Sequence, residues 1–162
     1  MNDYEPPLIF ISYARPDLAP ACAIVAVLKD AGFSTWFDKD NLLGGQDWKY
    51  EIRRAIAGAN LFLLCLSTNA VDRAGFYQAE MTYALEEAER VPQGKVYILP
   101  VRLNPCSIPA RIQKWQVVDI FEKDGAATLF RSITSALKEA ARARAEVIAA
   151  LNSTLRDFNS KN

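Results

Sequence analysis

The sequence predicts an α/β protein in which a five-strand parallel sheet has helices on both faces and is followed by an extended C-terminal helix. Strand-like and helix-like segments alternate about five times along the 162 residues, which is typical of parallel sheets built by helical crossovers. The segment "LFLLCLS" (61–67) is apolar throughout, as expected for a central strand covered on both faces. A chain of this length suits one domain.

The first strand and helix follow from a short apolar run and a change of spacing. "LIFIS" (8–12) predicts a buried strand, and the spacing becomes helical from Asp17. Gly32 is a typical C-terminal stop for that helix, and "FSTWF" (33–37) predicts the second strand. The helical face predicted to be buried carries Leu18, Cys22, Val25 and Leu28.

The remaining elements continue the alternation. A helical stripe begins at Trp48, and a third helix is predicted over 76–90. "KVYILPVRL" (95–103) and "QVVDIF" (116–121) predict the fourth and fifth strands, and a last helix begins near Gly125. Core packing is the preferred interpretation of the stripe, which consists of Trp48, Ile52, Ala55, Ile56 and Ala59.

The C-terminal stretch from about 126 to 158 contains almost no helix breaker. Its apolar residues recur at three- or four-residue spacing, which predicts a helix of roughly 30 residues, about 45 Å long. We therefore expect a domain over 1–138 and a helical extension or linker over 139–162. This extension is interpreted either as a solvated end that frays or as an oligomer contact or a link to a further domain. Its stripe comprises Leu129, Ile133, Leu137, Ala141, Ala145, Ile148, Leu151 and Leu155.

Charge and composition argue against several classes of function. The net charge is zero, so no global field attracts nucleic acid or an anionic membrane. The chain contains no His, which removes the usual triads and metal sites, and no metal is expected. No G-x-G-x-x-G or P-loop follows the first strand, which disfavours a dinucleotide-binding Rossmann site or an NTPase site.

Three scattered cysteines and the N-terminal residues indicate the cellular compartment in which we expect the protein. Cys22, Cys65 and Cys106 form no C-x-x-C pair and are interpreted as buried thiols of a reducing cytoplasm. The start "MNDYEPP" is acidic and lacks the basic residues of a signal peptide. No apolar run approaches the roughly 20 residues of a membrane span, so we expect a cytoplasmic protein.

The predicted topology indicates where a ligand would bind. Parallel sheets bind ligands at the carboxyl ends of their strands, near the switch in strand order. The three loops that follow the first three strands, 12–17, 38–47 and 67–76, are therefore the candidates.

Six segments occur in the order and at the spacing of a Toll/interleukin-1 receptor (TIR) domain. They are "FISY" (10–13), "FDKDNLLGGQDW" (37–48), "CLSTNAV" (65–71), "FYQAEM" (76–81), "ILPVRLNPCSIP" (98–109) and "WQVVDIF" (115–121). The resemblance covers roughly 7–138 and is to the bacterial, NAD-cleaving type. It implies a flavodoxin-like sheet, which agrees with the strand count above.

The resemblance implies that Glu80 is catalytic. TIR domains that cleave NAD use a glutamate in a motif similar to S…W-C-x-x-E, and this chain has Ser67 upstream and "FYQAE" at 76–80. Phe76 and Tyr77 occupy the Trp and Cys positions, and Phe76 keeps an aromatic ring four residues before the Glu. The competing interpretation is an exposed first-turn Glu80 that is favoured by the helix dipole.

Other residues are expected to line the substrate site or a flap. Ser12, Tyr13 and Arg15 follow the first strand, and a plain surface arginine is an equal interpretation of Arg15. Phe37 and Asp38 lie where the second strand meets the flap. The resemblance implies that the flap serves assembly or covers a ligand, and its residues are Leu42, Leu43, Gly44, Gly45 and Trp48. Two leucines folded back on their own core are the alternative.

The resemblance implies a NAD+ nucleosidase that works when assembled. NAD+ is its substrate, no cofactor is expected, and the products are nicotinamide plus ADP-ribose or a cyclic ADP-ribose isomer. Expected partners are other copies of the chain, through TIR–TIR contacts, and a sensor domain or sensor protein. An antiphage role in bacteria follows from the resemblance only. The alternative is a non-catalytic TIR scaffold that binds other TIR domains.

Overall fold

A five-stranded parallel sheet organises the chain, with the strand order β2-β1-β3-β4-β5. The computed structural model describes residues 5–37, 43–71, 76–91 and 96–138. The strands are β1 (Leu8–Ser12), β2 (Ser34–Trp36), β3 (Leu61–Leu66), β4 (Ile98–Arg102) and β5 (Val118–Asp119). This order is the flavodoxin-like one, so the prediction of the fold class is confirmed.

Each strand is followed along the chain by at least one α-helix or 3-10 helix. The α-helices are α1 (Leu18–Asp30), α2 (Trp48–Gly58), α3 (Thr68–Val71), α4 (Phe76–Arg90) and α5 (Gly125–Ala136), with short 3-10 helices at Arg15–Asp17 and Ala110–Ile112. The Asp47 carboxylate accepts hydrogen bonds from the N–H groups of Lys49 and Tyr50, which fixes the start of α2. The sequence pattern did not predict α3. Its single turn is stabilised by Ser67, because the Ser67 hydroxyl and the Ser67 carbonyl both accept a hydrogen bond from the Ala70 N–H.

Two hydrophobic layers cover the two faces of the sheet, because successive residues of a strand point to opposite sides. One layer packs α1 and α5 against the sheet and contains Ile9, Ile11, Ile24, Leu28, Leu61, Leu63, Leu129 and Ile133. The other packs α2 and α4 against it and contains Phe10, Ile52, Ile56, Phe62, Leu64, Leu66, Met81 and Ala84. All six residues of β3 are buried, as predicted for a central strand.

The buried face of α1 differs from the predicted one. Leu18 is 44% exposed and Cys22 is exposed, whereas Ala21 and Ile24 are buried together with the predicted Val25 and Leu28. The sequence "LAPACAIVAVLKD" is apolar on nearly all sides, so periodicity alone does not determine which stripe faces the sheet. The interpretation of the cysteines as buried holds for Cys65 and is wrong for Cys22.

The last helix with described bounds, α5, ends at Ala136, and Lys138 is again helical where the described residues end. Leu137 follows α5 with φ −106° and ψ 21°, well away from the helical values near −63° and −42°. Its side chain remains in the core beside α5. The predicted extension over 139–162 lies outside the described residues. Within the described residues, no helix is long and apolar enough to cross a membrane.

Candidate functional site

The carboxyl group of Glu80 meets the end of β1. Ser12 is the last residue of β1 and lies on the same side of the strand as Phe10, which faces α2 and α4. Its hydroxyl donates a hydrogen bond of 2.8 Å to Oε2 of Glu80 in α4. Both residues are buried, Ser12 at 1% and Glu80 at 8% exposure. The sheet therefore joins two predicted site residues that are 68 positions apart in the chain.

Burial controls the ionisation of Glu80. Loss of solvent raises its pKa to about 7, although the hydrogen bond from Ser12 opposes this rise. Near neutral pH the carboxyl is thus divided between its neutral and charged forms. The interpretation of Glu80 as an exposed first-turn residue is wrong.

Ser67 belongs to a different buried network on the opposite side of the sheet. Its hydroxyl donates a 2.5 Å hydrogen bond to Oδ2 of Asp17, and the Asn69 side chain donates to Oδ1 of the same carboxylate at 3.0 Å. Asp17 is 5% exposed. Ser67 was predicted to bind substrate, but these contacts tie α3 to the start of α1. Sequence analysis placed Asp17 only as a helix start, and no local signal paired it with Ser67.

Two predicted aromatic residues meet where β1 and β2 end. The rings of Tyr13 and Phe37 stack with centroids 5.0 Å apart and planes inclined by 26°. Both pack against the layer formed by α1 and α5. Arg15 lies nearby at the start of a 3-10 helix with an exposed side chain. Tyr13 and Phe37 thus lie on the other face of the sheet from the Ser12–Glu80 pair.

The described part of the predicted flap is exposed. Leu43 is 72% exposed, and Gly45 has φ +84°, a left-handed conformation that favours glycine. Gly44 has open space around it. Trp48 is 42% exposed with the Lys49 ammonium 5.5 Å from its ring, so the preferred assignment of Trp48 to the core is wrong. The stripe of α2 that is buried runs through Ile52 and Ile56 instead.

Some predicted site residues lie outside the described part of the chain. They are Asp38 and Leu42 of the flap, and the side chains of Phe76 and Tyr77, whose backbone forms the first turn of α4. The predicted aromatic ring beside Glu80 therefore stays a prediction.

Two cavities occur elsewhere in the molecule. One of about 290 Å³ is lined by the residues around β5 and the start of α5, including Asp119, Glu122 and Lys123. The other, of about 300 Å³, lies between α1 and α5. Neither of these two cavities is lined by Ser12 or Glu80.

The geometry offers the buried Glu80 carboxyl group, whose described hydrogen-bond donor is the Ser12 hydroxyl. A carboxylate in a weakly solvated site can stabilise a positive charge strongly, because little water competes with it. Among the described residues, no group of three or more His, Cys, Asp or Glu side chains could hold a metal ion. The chemistry best supported is therefore electrostatic stabilisation of a cationic centre.

Comparison with known proteins yields one family. A sequence model described as the TIR domain matches residues 9–134. Among curated protein sequences, none matches this chain at the required significance.

Solved structures of TIR-containing proteins have a similar fold. The TIR domain of the Toll-related receptor TRR-2 from Hydra magnipapillata superposes with a TM-score of 0.65 at 22% identity, over 77% of this chain and 96% of that one. A TIR-STING receptor from C. gigas in complex with 2',3'-cGAMP gives 0.59 at 18% identity, over 74% of this chain and 37% of that one. The TIR domains of the activated Roq1 resistosome give 0.53 at 19% identity, over 87% and 76%. At these identities the likeness concerns the fold.

Proposed function

The chain belongs to the TIR-domain family, and on that premise we propose that it is a NAD+ nucleosidase with Glu80 as its catalytic residue. It cleaves the bond between nicotinamide and ribose and acts when several copies assemble. The products are nicotinamide and either ADP-ribose or a cyclic ADP-ribose isomer. We place this reaction in bacterial immune signalling, on the resemblance to bacterial NAD-cleaving members.

The burial of Glu80 is the observation that carries this proposal. An unpaired carboxylate is costly to bury, and here only the Ser12 hydroxyl is described as its hydrogen-bond partner. No cation among the described salt bridges compensates it. Groups with strongly shifted pKa values at the carboxyl edge of a sheet are frequent in functional sites.

The reaction suits a single carboxylate. The nicotinamide ring of NAD+ is cationic, so it leaves with the electron pair of the broken C–N bond and becomes neutral without a proton donor. The ribose left behind resembles an oxocarbenium ion, as in glycoside hydrolysis. The Glu80 carboxylate stabilises that positive charge. Water then attacks the ribose carbon and releases a proton, or a nucleophile of the same molecule attacks and closes a ring.

The closed position of Glu80 supports activation by assembly. Glu80 is only 8% exposed, so binding of NAD+ against its carboxyl calls for a more open arrangement than this one. We propose that contact with a second copy through the exposed Leu43, Trp48 and Tyr50 favours the open arrangement. A ligand or partner shifts such an equilibrium only by its preference for one state.

The test is consumption of NAD+ by the purified full chain at high concentration, with the products separated by chromatography. We expect turnover in the wild type and a loss of about a hundredfold or more in Glu80→Gln, which removes the negative charge and keeps the shape. Glu89→Gln is the matched control, since Glu89 lies exposed on the same helix. The product peaks distinguish hydrolysis from cyclisation.

A scaffold is the second candidate, and the exposed apolar side chains at the start of α2 favour it. Leu43 at 72%, Trp48 at 42% and Tyr50 at 63% exposure form a surface suited to protein contact without any chemistry. No turnover by a wild-type sample that light scattering shows to be assembled would reject the enzyme and favour this candidate.

A further inference from the structure

A charged side chain on α2 contacts the helix that carries Glu80. Arg53 lies in the middle of α2, and the central carbon of its guanidinium is 4.9 Å from the centroid of the Tyr83 ring in α4. Nη2 of the same guanidinium lies 3.6 Å from Oε2 of Glu86, also in α4. An exposed ion pair or cation–π contact contributes little by itself. Here both contacts connect the same two helices, so Arg53 links the orientation of α2 to that of α4.

Within α2, Arg53 lies between the buried side of the helix and the exposed one. It directly follows the buried Ile52. It also follows Tyr50 by three residues, which makes the two side chains neighbours on the helix surface. Tyr50 belongs to the assembly surface, which consists of the exposed side chains of Leu43, Trp48 and Tyr50. Arg53 is therefore one helical turn from the assembly surface and in contact with α4.

The two ends of α2 differ in how they are held. In the last turn of α2, the Ile56 carbonyl accepts a buried hydrogen bond of 2.6 Å from the hydroxyl of Tyr97, the residue before β4. The first turn carries the exposed Trp48 and Tyr50 instead. A second copy that contacts the first turn thus acts on the end of α2 that lies away from this anchor, and Arg53 lies between the two.

On α4, the partners of Arg53 lie less than two turns beyond Glu80. Tyr83 follows Glu80 by three residues and Glu86 follows it by six, which is about 4.5 Å and about 9 Å along the helix axis. The Glu80 carboxyl meets the Ser12 hydroxyl because α4 packs on the sheet at this point. A tilt of α4 against the sheet therefore changes the burial of Glu80.

We propose that Arg53 couples the assembly surface on α2 to the position of Glu80, so that contact between copies opens the site to NAD+ through α4. This inference rests on the proposed function, because it assigns the regulation of the same site. Loss of the Arg53 side chain leaves the assembly surface intact, so the copies still assemble, but they adopt the open arrangement less often. Where a substrate binds only one arrangement, a smaller population of that arrangement weakens the apparent affinity for the substrate.

Arg53→Ala tests the coupling, with Arg54→Ala as the matched control. Arg54 is an exposed arginine of the same helix whose ion pair, at 3.9 Å, is with Glu51 of α2 and not with α4. In samples that light scattering shows to be equally assembled, we expect Arg53→Ala to raise the KM for NAD+ about fivefold and to leave kcat within about twofold of the wild type. Arg54→Ala should leave both constants unchanged. Arg53→Lys keeps a cation for Tyr83 and Glu86, so it should return KM towards the wild-type value.

Two kinetic results would overturn the coupling. A lower kcat at unchanged KM would mean that Arg53→Ala removes active protein and does not shift the balance between arrangements. Equal KM values in Arg53→Ala and Arg54→Ala would mean that the contact with α4 has no influence on the site, and the proposed nucleosidase would remain in place.

Hydrogen exchange of the full chain decides the coupling without NAD+. We expect the peptide over α4 to exchange about fivefold faster in the assembled wild type than in a dilute sample, and we expect Arg53→Ala to lose this difference. If the assembled wild type has no turnover, the nucleosidase fails, whereas this difference in exchange would still support the coupling. Exchange of α4 that is the same before and after assembly of the wild type would overturn the coupling.

Discussion

At the scale of single residues, the Glu80 side chain is buried, and its carboxyl group accepts a hydrogen bond from the Ser12 hydroxyl. The hydrogen bond of 2.8 Å favours the charged form, but the loss of solvent outweighs it and the pKa rises to about 7. This balance has a consequence for stability, because the folded protein holds the Glu80 proton over a pH range in which the unfolded chain releases it.

Glu80→Gln is expected to change the pH dependence of unfolding. The folded-state pKa of about 7 exceeds the ordinary 4.5, so wild-type stability falls as pH rises from about 4.5 to about 7 and then levels off. The difference between these two pKa values corresponds to roughly 3 kcal/mol in the free energy of unfolding. The variant lacks this titration, so it should exceed the wild type in free energy of unfolding at pH 8 and approach it near pH 4.5. Urea unfolding across this range measures the difference, and a constant difference would show that Glu80 has an ordinary pKa.

Ser12→Ala is expected to shift the activity profile on the acid side. The Ser12 hydroxyl stabilises the Glu80 carboxylate, so its removal raises the pKa of Glu80 further. The acid limb of the pH profile of NAD+ cleavage then moves to higher pH by roughly one unit. Ser67→Ala is the matched control, because that hydroxyl bonds Asp17 and not Glu80. Equal shifts in both variants would mean that the acid limb belongs to another group.

At the scale of elements, caps and close approaches fix where the helices begin. Asp47 caps α2 and Ser67 caps α3, so both helices start at the carboxyl edge of the sheet. The start of α5 depends on Gly125 instead. A Cβ atom there would lie 2.3 Å from the carbonyl oxygen of Asp119 and 2.6 Å from that of Ile120. Helix α5 therefore begins in direct contact with the backbone that follows β5.

Gly125→Ala should destabilise the protein. Its Cβ meets rigid backbone, so β5 and α5 must separate, and we expect a loss of about 1–3 kcal/mol in the free energy of unfolding. Gly58→Ala is the matched control: the space around Gly58, the last residue of α2, is open, and Ala is favoured there by about 0.5–1 kcal/mol. Chemical denaturation of both variants provides the comparison. Similar effects at the two positions would show that the contact at Gly125 relaxes without cost.

At the scale of the whole molecule, the sheet separates two surfaces. Glu80 and the start of α2 lie on the side of α2 and α4, and the cavity of about 300 Å³ lies on the side of α1 and α5. The surface proposed for assembly, at the start of α2, is therefore on the same side of the sheet as Glu80.

Leu43→Asp is expected to weaken assembly and the activity that depends on it. Leu43 is 72% exposed, so the charge costs little in the isolated chain but opposes burial between copies. We expect turnover per chain to require a protein concentration about tenfold higher than in the wild type. Val27→Asp, at a 61% exposed apolar position on α1 on the other side of the sheet, is the control. Concentration dependence identical to that of the wild type would remove Leu43 from the contact.

The sequence by itself determined the sheet, its four longer helices and several of their ends. The predicted strand 8–12 and helix 76–90 coincide with β1 and α4, because buried strands and breaker-bounded helices leave strong local patterns. The pattern did not fix the buried face of α1, since a helix that is apolar on most sides has no unique inward stripe.

Only the tertiary structure decided which polar residues meet. Ser12 ends β1 and Ser67 follows the adjacent strand β3, yet their side chains point to opposite faces of the sheet, towards Glu80 and towards Asp17. Each partnership joins positions that are 50 or more residues apart, and local spacing carries no information on such pairs. The burial that raises the pKa of Glu80 arises in the same way, from the packing of α4 on a sheet formed by distant segments.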